Sequence, residues 1–432
     1  IFKISDHVIF ISKNVKSYFL SKINISSKKN TVIYYGTTKK NISFKEYHGE
    51  IADARNKEGL AFANISLLNS NISTISNING DFSIKIPENY KPIIKVSFIG
   101  YSPKIVDLKN LKNKRNIILL DVYSIPLSEM ILTIPKDVEG LVRKALFNSK
   151  SNYLNENLLM TSFFRESIKR RRRNVSLTEA VSKIYKVPYE SYKRDVIEFV
   201  KLRKNTDYSR LDTLIVKLAG GPFNTLFLDI VKYPNFFIPK ENIPLYSYVI
   251  KRTTKVNNSP VYVVGFKQKE NIELPSIQGE LYIKVDKLVI ISANFNLNIN
   301  NKDFIKNLFV VTKPKGANVW PLQAKYKVDY VEKNGKWIFN YSNLLLKLKI
   351  NYDKKLFNTS YTFASEIAIT DWTQNNSLAL PKNKMRVKPK IILSDSKLGF
   401  IDLDFWGTDN IIEPEKSIQN AIRKIKKQLN RL

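Results

Sequence analysis

Side chains able to attack a bond or grip a metal are few in this sequence and widely spaced. It holds two histidines, His7 and His48, and no cysteine. A catalytic zinc of the peptidase kind needs three protein ligands, commonly two His and a carboxylate, with a fourth position left open. His7 leads into Val8-Ile9-Phe10 and His48 into Gly49-Glu50-Ile51, so neither opens a His-x-x-Glu or His-Glu-x-x-His pattern. Nucleophilic catalysis needs a base within hydrogen-bond reach of Ser, Thr or Cys, and no Gly-x-Ser-x-Gly turn is present. Nothing singles out a pair of acids for glycoside hydrolysis, whose separation is a property of the fold. Asp402 and Asp404 precede a helix pattern and read as caps, because the further oxygen ligands of a calcium loop are missing around them. Gly220-Gly221-Pro222 is followed by Phe223-Asn224 where a phosphate loop would carry Lys and Ser or Thr, so it reads as a turn or helix boundary. The expectation is a protein that is not an enzyme and needs no metal and no cofactor.

Shape and surface are then the remaining tools. Lys169, Arg170, Arg171, Arg172 and Arg173 form a cationic run that could clamp an anion. At a hairpin tip, such a run more simply keeps a strand edge solvated and unpaired. The whole chain carries 71 Lys and Arg against 38 Asp and Glu, a formal charge of +33. A field of that sign attracts nucleic acid or anionic lipid. The lysines are nevertheless spread through every segment together with abundant Asn and Ile, which is the mark of coding bias. Nucleic acid is therefore not favoured; a protein partner is expected, with a lipid or an anionic membrane surface as the other possibility. Six aromatic residues on strand faces, Phe163, Tyr185, Tyr262, Phe266, Tyr282 and Phe295, line either a packed core or a lipid-sized apolar cavity, and packing is the simpler reading.

The elements that must carry these groups are mostly strands. Residues 1–14 read as a short hairpin and 21–40 as a linker rich in Ser, Lys, Asn and Thr. From His48 to Leu132, short alternating runs are broken by Gly, Pro, Asn and Asp every eight to twelve positions, which predicts a small β-sandwich. The two-residue period sends Phe82, Ile84 and Ile86 to one face and Ser83 and Lys85 to the other. Asp137 caps a helix with Val138, Leu141, Val142, Ala145 and Leu146 on one stripe. Long strands follow over 159–168, 177–187 and 195–203. A meander then runs over 246–254, 261–269, 279–285, 288–298, 323–331, 337–350 and 359–369, joined by tight turns such as Asp286-Lys287 and Asn334-Gly335. Ile418, Ala421, Ile422, Ile425 and Leu429 form the apolar stripe of a basic terminal helix, opened by Glu413-Pro414-Glu415. That stripe either packs on its own sheet or lies on an anionic membrane.

Gly49, Asp53, Ala63, Asn79-Gly80-Asp81-Phe82 and Ser97-Phe98-Ile99-Gly100-Tyr101, with the exit strand Leu127-Ser128-Glu129-Met130-Ile131-Leu132, resemble the carboxypeptidase regulatory-like domain. That family's fold is a transthyretin-type (prealbumin-like) sandwich of seven strands, found in many envelope proteins and lacking a catalytic group of its own. Two positions depart from its pattern: Leu60 lacks the usual preceding Pro, and Ser73 stands where Gly precedes Thr74. Further on, Phe163-Phe164-Arg165-Glu166, Glu179-Ala180, Ile184-Tyr185-Lys186, Tyr262-x-Val264-x-Phe266 and Gly279-x-Leu281-Tyr282-Ile283 look like the second half of carboxypeptidase-like regulatory domain-containing proteins. The long strands also look like the half-barrel of envelope lipoprotein carriers. The opening hairpin resembles the end of the small domain preceding receptors of the TonB-dependent kind.

The expected fold is mainly β with a few helices: a prealbumin-like sandwich, then a large curved antiparallel sheet, half-barrel-like, with packed helices. Its expected divisions are 1–44 (hairpin and linker), 45–133 (sandwich), 134–370 (sheet) and 371–432 (extended segment and terminal helix). What the resemblance implies is a non-enzymatic interaction or scaffold protein of the cell envelope, periplasmic or associated with the outer membrane, able to hold an apolar ligand in its second domain. The alternative is a protein that binds polyanions or anionic membranes, and an association with a peptidase is the weakest reading. The sequence from Ile1 shows no basic-then-apolar leader, and no run of about 18 apolar residues forms a membrane-spanning helix.

Overall fold

The structure, a computed structural model, describes residues 2–4, 7–10, 30–32 and 43–429, except 111–115, 124–134, 149, 172, 207–219, 258, 271, 273–276, 299–315, 353–357, 377–378, 392 and 394–405. The chain forms two compact units, one of residues 1–45 with 87–90 and one of residues 46–86 with 91–432. In the first, β1 (Phe2–Ile4) and β2 (His7–Phe10) form the antiparallel hairpin read from the sequence, and β3 (Asn30–Val32) joins β2 in parallel.

The sandwich has seven strands: β4 (Phe44–Asp53), β5 (Asn64–Leu67), β6 (Ser73–Ile75), β7 (Asp81–Pro87), β8 (Ile93–Ser97), β9 (Lys104–Asp107) and β10 (Ile117–Leu120). They form two sheets, β10-β4-β7 and β6-β5-β8-β9. Ile51, Ile65, Leu67, Phe82, Ile84 and Val96 fill the space between them. The signature residues have physical tasks. Gly80 turns the hairpin at φ +87°, where a Cβ would lie 2.4 Å from the Ile51 carbonyl, and the Asn77 side-chain oxygen accepts from the Asn79 and Asp81 amides at 2.9 and 3.0 Å. Tyr101 donates its hydroxyl to Asp53 at 2.7 Å, and Arg55 pairs with the same carboxylate at 2.8 Å. The Arg55 hydrogen bonds, helped by Tyr101, hold the Asp53 carboxyl far below the ordinary carboxylate range.

The second part is one open antiparallel sheet of ten strands: β11 (Leu158–Arg170), β12 (Arg173–Lys186), β13 (Val196–Thr206), β14 (Tyr246–Val256), β15 (Ser259–Gln268), β16 (Ile277–Lys284), β17 (Val289–Leu297), β18 (Ala317–Lys333), β19 (Lys336–Tyr352) and β20 (Thr359–Gln374). Their order, β13-β12-β11-β20-β19-β18-β17-β16-β15-β14, sets two meanders side by side. The chain runs outward from β11 to β13, crosses over, and returns from β14 to β20, so its first and last strands are neighbours inside the sheet. β20 runs four residues beyond the boundary expected at 370. The mainly β character, the sandwich and the large sheet with few helices match the expected fold class.

One face of this sheet is covered by helical segments. Here α1 (Val138–Arg143) starts at Asp137, whose carboxylate accepts from the Gly140 amide at 2.7 Å, and a further turn carries Ala145 and Leu146 into the core. Pro222 opens the short α2 (Phe223–Leu226), so Gly220-Gly221-Pro222 is a helix boundary. Tyr262, Phe266 and Phe295 belong to this core; Phe237 meets Phe266 and Phe295 ring to ring at 5.4 and 4.9 Å. Lys186 is buried there between Asp195 (3.2 Å) and Asp229 (2.8 Å). Burial disfavours its charge, but the two carboxylates outweigh that and raise its pKa above the ordinary lysine value.

Candidate functional site at the sandwich and sheet junction

The sheet's other face carries a polar row set by register. Arg203 of β13 stands opposite Glu179 of β12, Glu179 opposite Arg165 of β11, and Arg165 opposite Glu366 of β20. The row continues through Asn343 of β19, Lys327 of β18, Asn294 of β17 and Glu280 of β16. Eight successive strands thus place a charge or a carboxamide at the same level. At the buried end, Arg165 Nε donates to Glu179 at 2.8 Å, its Nη1 to Glu366 at 3.2 Å, and Arg203 Nε to the second Glu179 oxygen at 2.7 Å. Burial alone would raise the Glu179 pKa, but the guanidiniums of Arg165 and Arg203 reverse that and hold it below the ordinary range. Glu366 is half-buried with Arg165 and Tyr341 as partners, and for it loss of solvent prevails and raises the pKa. Such rows satisfy one another across strands, as opposite charges do in any antiparallel pair.

The sandwich and the segment from Trp406 to Ser417 lie on this face. Ser73, the residue that departs from the family pattern, opens β6 and donates its hydroxyl to the Ile369 carbonyl of β20 at 3.0 Å. Asn71 donates to Trp372 O at 2.9 Å, and Asn340 of β19 to Asn64 of β5 at 3.2 Å. The terminal segment bridges both parts: Asn410 accepts from the Lys85 amide at 2.7 Å, Lys201 pairs with Asp409 at 2.6 Å, and Arg165 Nη2 donates to Ile412 O at 2.7 Å. Trp406 packs edge-on to Phe163 at 5.4 Å. The segment leads into α3 (Lys416–Leu429), whose Ile418 and Ile422 are buried against Leu177. This is why Ser83 and Lys85, placed opposite the sandwich core by the strand period, are not left to solvent. The division drawn at 133 from the sequence separates two parts that the structure places in one compact unit.

Among the described residues, hollows remain where the sandwich meets the sheet. One, of about 290 Å³, is lined by Phe62, Ile78, Tyr341, Leu345, Ala364 and Ile418 among others. Its charged wall residues are three cations, Arg165, Lys169 and Lys325, and two carboxylates, Glu366 and Glu415. Lys169 pairs with Glu415 at 2.6 Å, so the exposed Lys325 is the cation at its rim for which the described residues show no ion pair. Ile78, 58% exposed, stands at the same wall. The other hollow, of about 280 Å³, is more polar and lies between Phe98 and Gly100 of the sandwich and the strands β14 to β19. Phe62 lines both, with φ +67° and its ring stacked on Tyr341 at 5.1 Å.

The six aromatic residues singled out in the sequence, read there as either a packed core or the lining of a cavity, do not share one face of the sheet. Tyr262, Phe266 and Phe295 are packed in the helix-covered core, whereas Phe163 packs on the opposite face beneath Trp406. Tyr185 is half-buried and donates to Glu198 at 3.0 Å. Tyr282 alone of the six borders a hollow, the polar one. Strand alternation is the cause: Phe163 and Phe164 are neighbours in sequence, so they point to opposite faces. In the cationic run, Lys169 is tied to Glu415, Arg171 and Arg173 are exposed, Arg170 is half-buried, and Arg172 lies outside the described residues, as do Asp402 and Asp404. His48 is exposed, 3.8 Å from both Glu46 and Glu413. Among the described residues, no three His, Asp or Glu gather as a metal site, and no helix is long and apolar enough to cross a membrane. The polar row escaped the sequence reading because its members are one per strand; only the register aligns them.

A sandwich of seven strands together with an open antiparallel sheet of ten defines a mainly β architecture. Residues 47–132 match the family described as CarboxypepD_reg-like domain. Among solved structures, the chain is similar to a DUF1329 family protein from Desulfovibrio piger, with 9% identity over 57% of this chain and 96% of that one and a TM-score of 0.26. It is also similar to lipovitellin, in a structure described as showing lipid–protein interactions, with 9% identity over 56% of this chain and 28% of that one and a TM-score of 0.27. No curated protein matches the chain.

Proposed function

We propose that this protein is a non-enzymatic binding protein of the cell envelope that holds an apolar, acyl-type ligand with an anionic end in the hollow between Phe62 and Ile418. The observation that carries the reading is the composition of that wall. Phe62, Ile78, Leu345, Ala364 and Ile418 offer aliphatic and aromatic surface, and the rim holds Lys325, a cation with no ion pair among the described residues. Ligand sites are commonly mostly apolar clefts between domains, with a few polar groups that fix orientation. The helix-covered face is filled by side chains, so the junction takes the place of the barrel interior expected from the sequence. The envelope assignment is supported by the resemblance of the sandwich to envelope proteins. Binding of anionic surfaces through Lys169 to Arg173 has less support, since Lys169 is engaged by Glu415.

The test is titration of the whole chain with palmitate by calorimetry. Saturable binding is expected, weakened at least tenfold, about 1.4 kcal/mol, when Ala364→Phe fills the hollow, with thermal unfolding unchanged. No binding, or binding indifferent to that substitution, overturns the reading. Fractionation of the source cells tests the location: recovery of the protein in the soluble cytoplasmic fraction would contradict it.

A further inference from the structure

The second hollow has a different chemistry. Its wall brings together four carboxamides, Asn64, Asn257, Asn294 and Asn340, with the aromatic residues Tyr282 and Trp337; Asn340 donates to Asn64 at 3.2 Å, which leaves each of these two with further donor or acceptor capacity. The ionic groups beside them are already matched. Arg252 straddles Glu280 with both arms at 3.3 Å, Lys327 pairs with Asp329 at 2.9 Å, and Glu332 lies 3.9 Å from Lys284. Ser292 also donates to Asp329, at 2.6 Å. A charged ligand entering here would have to displace one of these partners. Two wall side chains, by contrast, are incompletely satisfied: among the described residues, neither the indole N–H of Trp337, a residue 2% exposed, nor the buried side-chain oxygen of Asn257 has a hydrogen-bond partner. Buried polar atoms are nearly always hydrogen-bonded, so two exceptions on one wall call for a physical reason.

We propose that this hollow is a binding site for a neutral polyhydroxylated ligand of the saccharide class. A carboxamide presents an acceptor oxygen and a donor nitrogen side by side, which suits a pair of adjacent hydroxyl groups, each able to donate and accept. Trp337 adds a donor; the Tyr282 hydroxyl is held by Glu280 at 3.0 Å and Arg252 at 3.4 Å, so that residue offers its ring, and aromatic faces accept the C–H surface of a sugar ring. The hollow's 280 Å³ sets the scale of the occupant at one or two sugar rings. Phe62 separates this site from the apolar one, and the proposal does not depend on the acyl ligand.

The experiment uses the full chain and a panel of glucose, galactose, mannose, N-acetylglucosamine, maltose and cellobiose, with glucosamine and glucuronate as charged counterparts. Binding is followed by the indole N–H resonances in nuclear magnetic resonance spectra, with Trp337→Phe assigning the relevant signal. At least one neutral sugar is expected to shift that signal saturably with a Kd of about 1 mM or tighter. Asn294→Leu, which removes a carboxamide, and Thr254→Trp, which fills the hollow from β14, are each expected to weaken it at least tenfold while palmitate binding is unchanged. Thermal unfolding identifies a variant that fails to fold, and the other then carries the comparison. The proposal is overturned if no neutral sugar saturates the signal, if binding survives Thr254→Trp, or if a charged counterpart binds more tightly than its neutral relative.

Discussion

Glu166 shows how one side chain can work against the fold that contains it. It follows Arg165 on β11 and so faces away from the polar row, between Thr178 and Ser365. Burial pushes its pKa up to about 7, against a small opposing pull from Lys204. A carboxyl whose folded pKa is raised is tolerated best below its unfolded pKa, near 4.5, and destabilises the protein progressively as pH rises through 7. Glu166→Gln should therefore leave stability unchanged at pH 4 and increase it by about 1–2 kcal/mol at pH 8, measured as denaturant midpoints across that range. Equal effects at both pH values would show that the carboxyl is solvated. Arg165 and Glu179 are the opposite case, mutually satisfied and costly to separate. No periodicity in the sequence distinguishes the two situations, because Arg165 and Glu166 are adjacent and each faces residues remote in the chain.

At the scale of elements, the strands were largely legible, since each alternates over a long run and ends in Gly, Asn or Asp turns. The departures have local causes. β18 was expected to begin at Gln323, but it starts at Ala317, and a bulge between Pro321 and Gln323 accommodates the missing N–H. The terminal helix was legible as an amphipathic stripe, yet the segment before it was not legible as a bridge. Its contacts use Asn410, Asp409 and main-chain carbonyls, none of which forms a pattern. The pair Lys169–Glu415 joins the start of α3 to β11. Glu415→Arg sets two cations against each other there, so hydrogen exchange of amides 416–423 should rise at least tenfold, a local loss of about 1.4 kcal/mol, with β19 unaffected. Exchange unchanged over 416–423 would mean that Ile418 and Ile422 alone hold the helix.

At the scale of the molecule, the sandwich, the terminal segment and the sheet share hydrogen bonds and an apolar cluster built from all three, including Ile75, Phe163, Tyr341 and Trp406. Residues 46–86 with 91–432 should consequently unfold in one transition, with far-ultraviolet dichroism and tryptophan fluorescence giving the same midpoint. Two separated midpoints would indicate independent domains. The junction itself could not be read from the sequence: the sandwich and the sheet were each visible, but which surfaces meet depends on side chains such as Ser73 and Asn340 that look like ordinary strand polars. The polar row has one more effect, on assembly. β11 must find β20 some two hundred positions later in the chain, and a shift of two residues would keep every apolar side chain on its proper face. Such a shift would set Arg165 opposite Ala364 or Ala368, with Glu179 as its remaining partner, and strand Glu366 against Ser167 or Phe163, leaving that carboxylate without its cation at a cost of several kcal/mol. The ladder of opposite charges thus proofreads the alignment of the two halves, rejecting mispairings that hydrophobicity alone would accept.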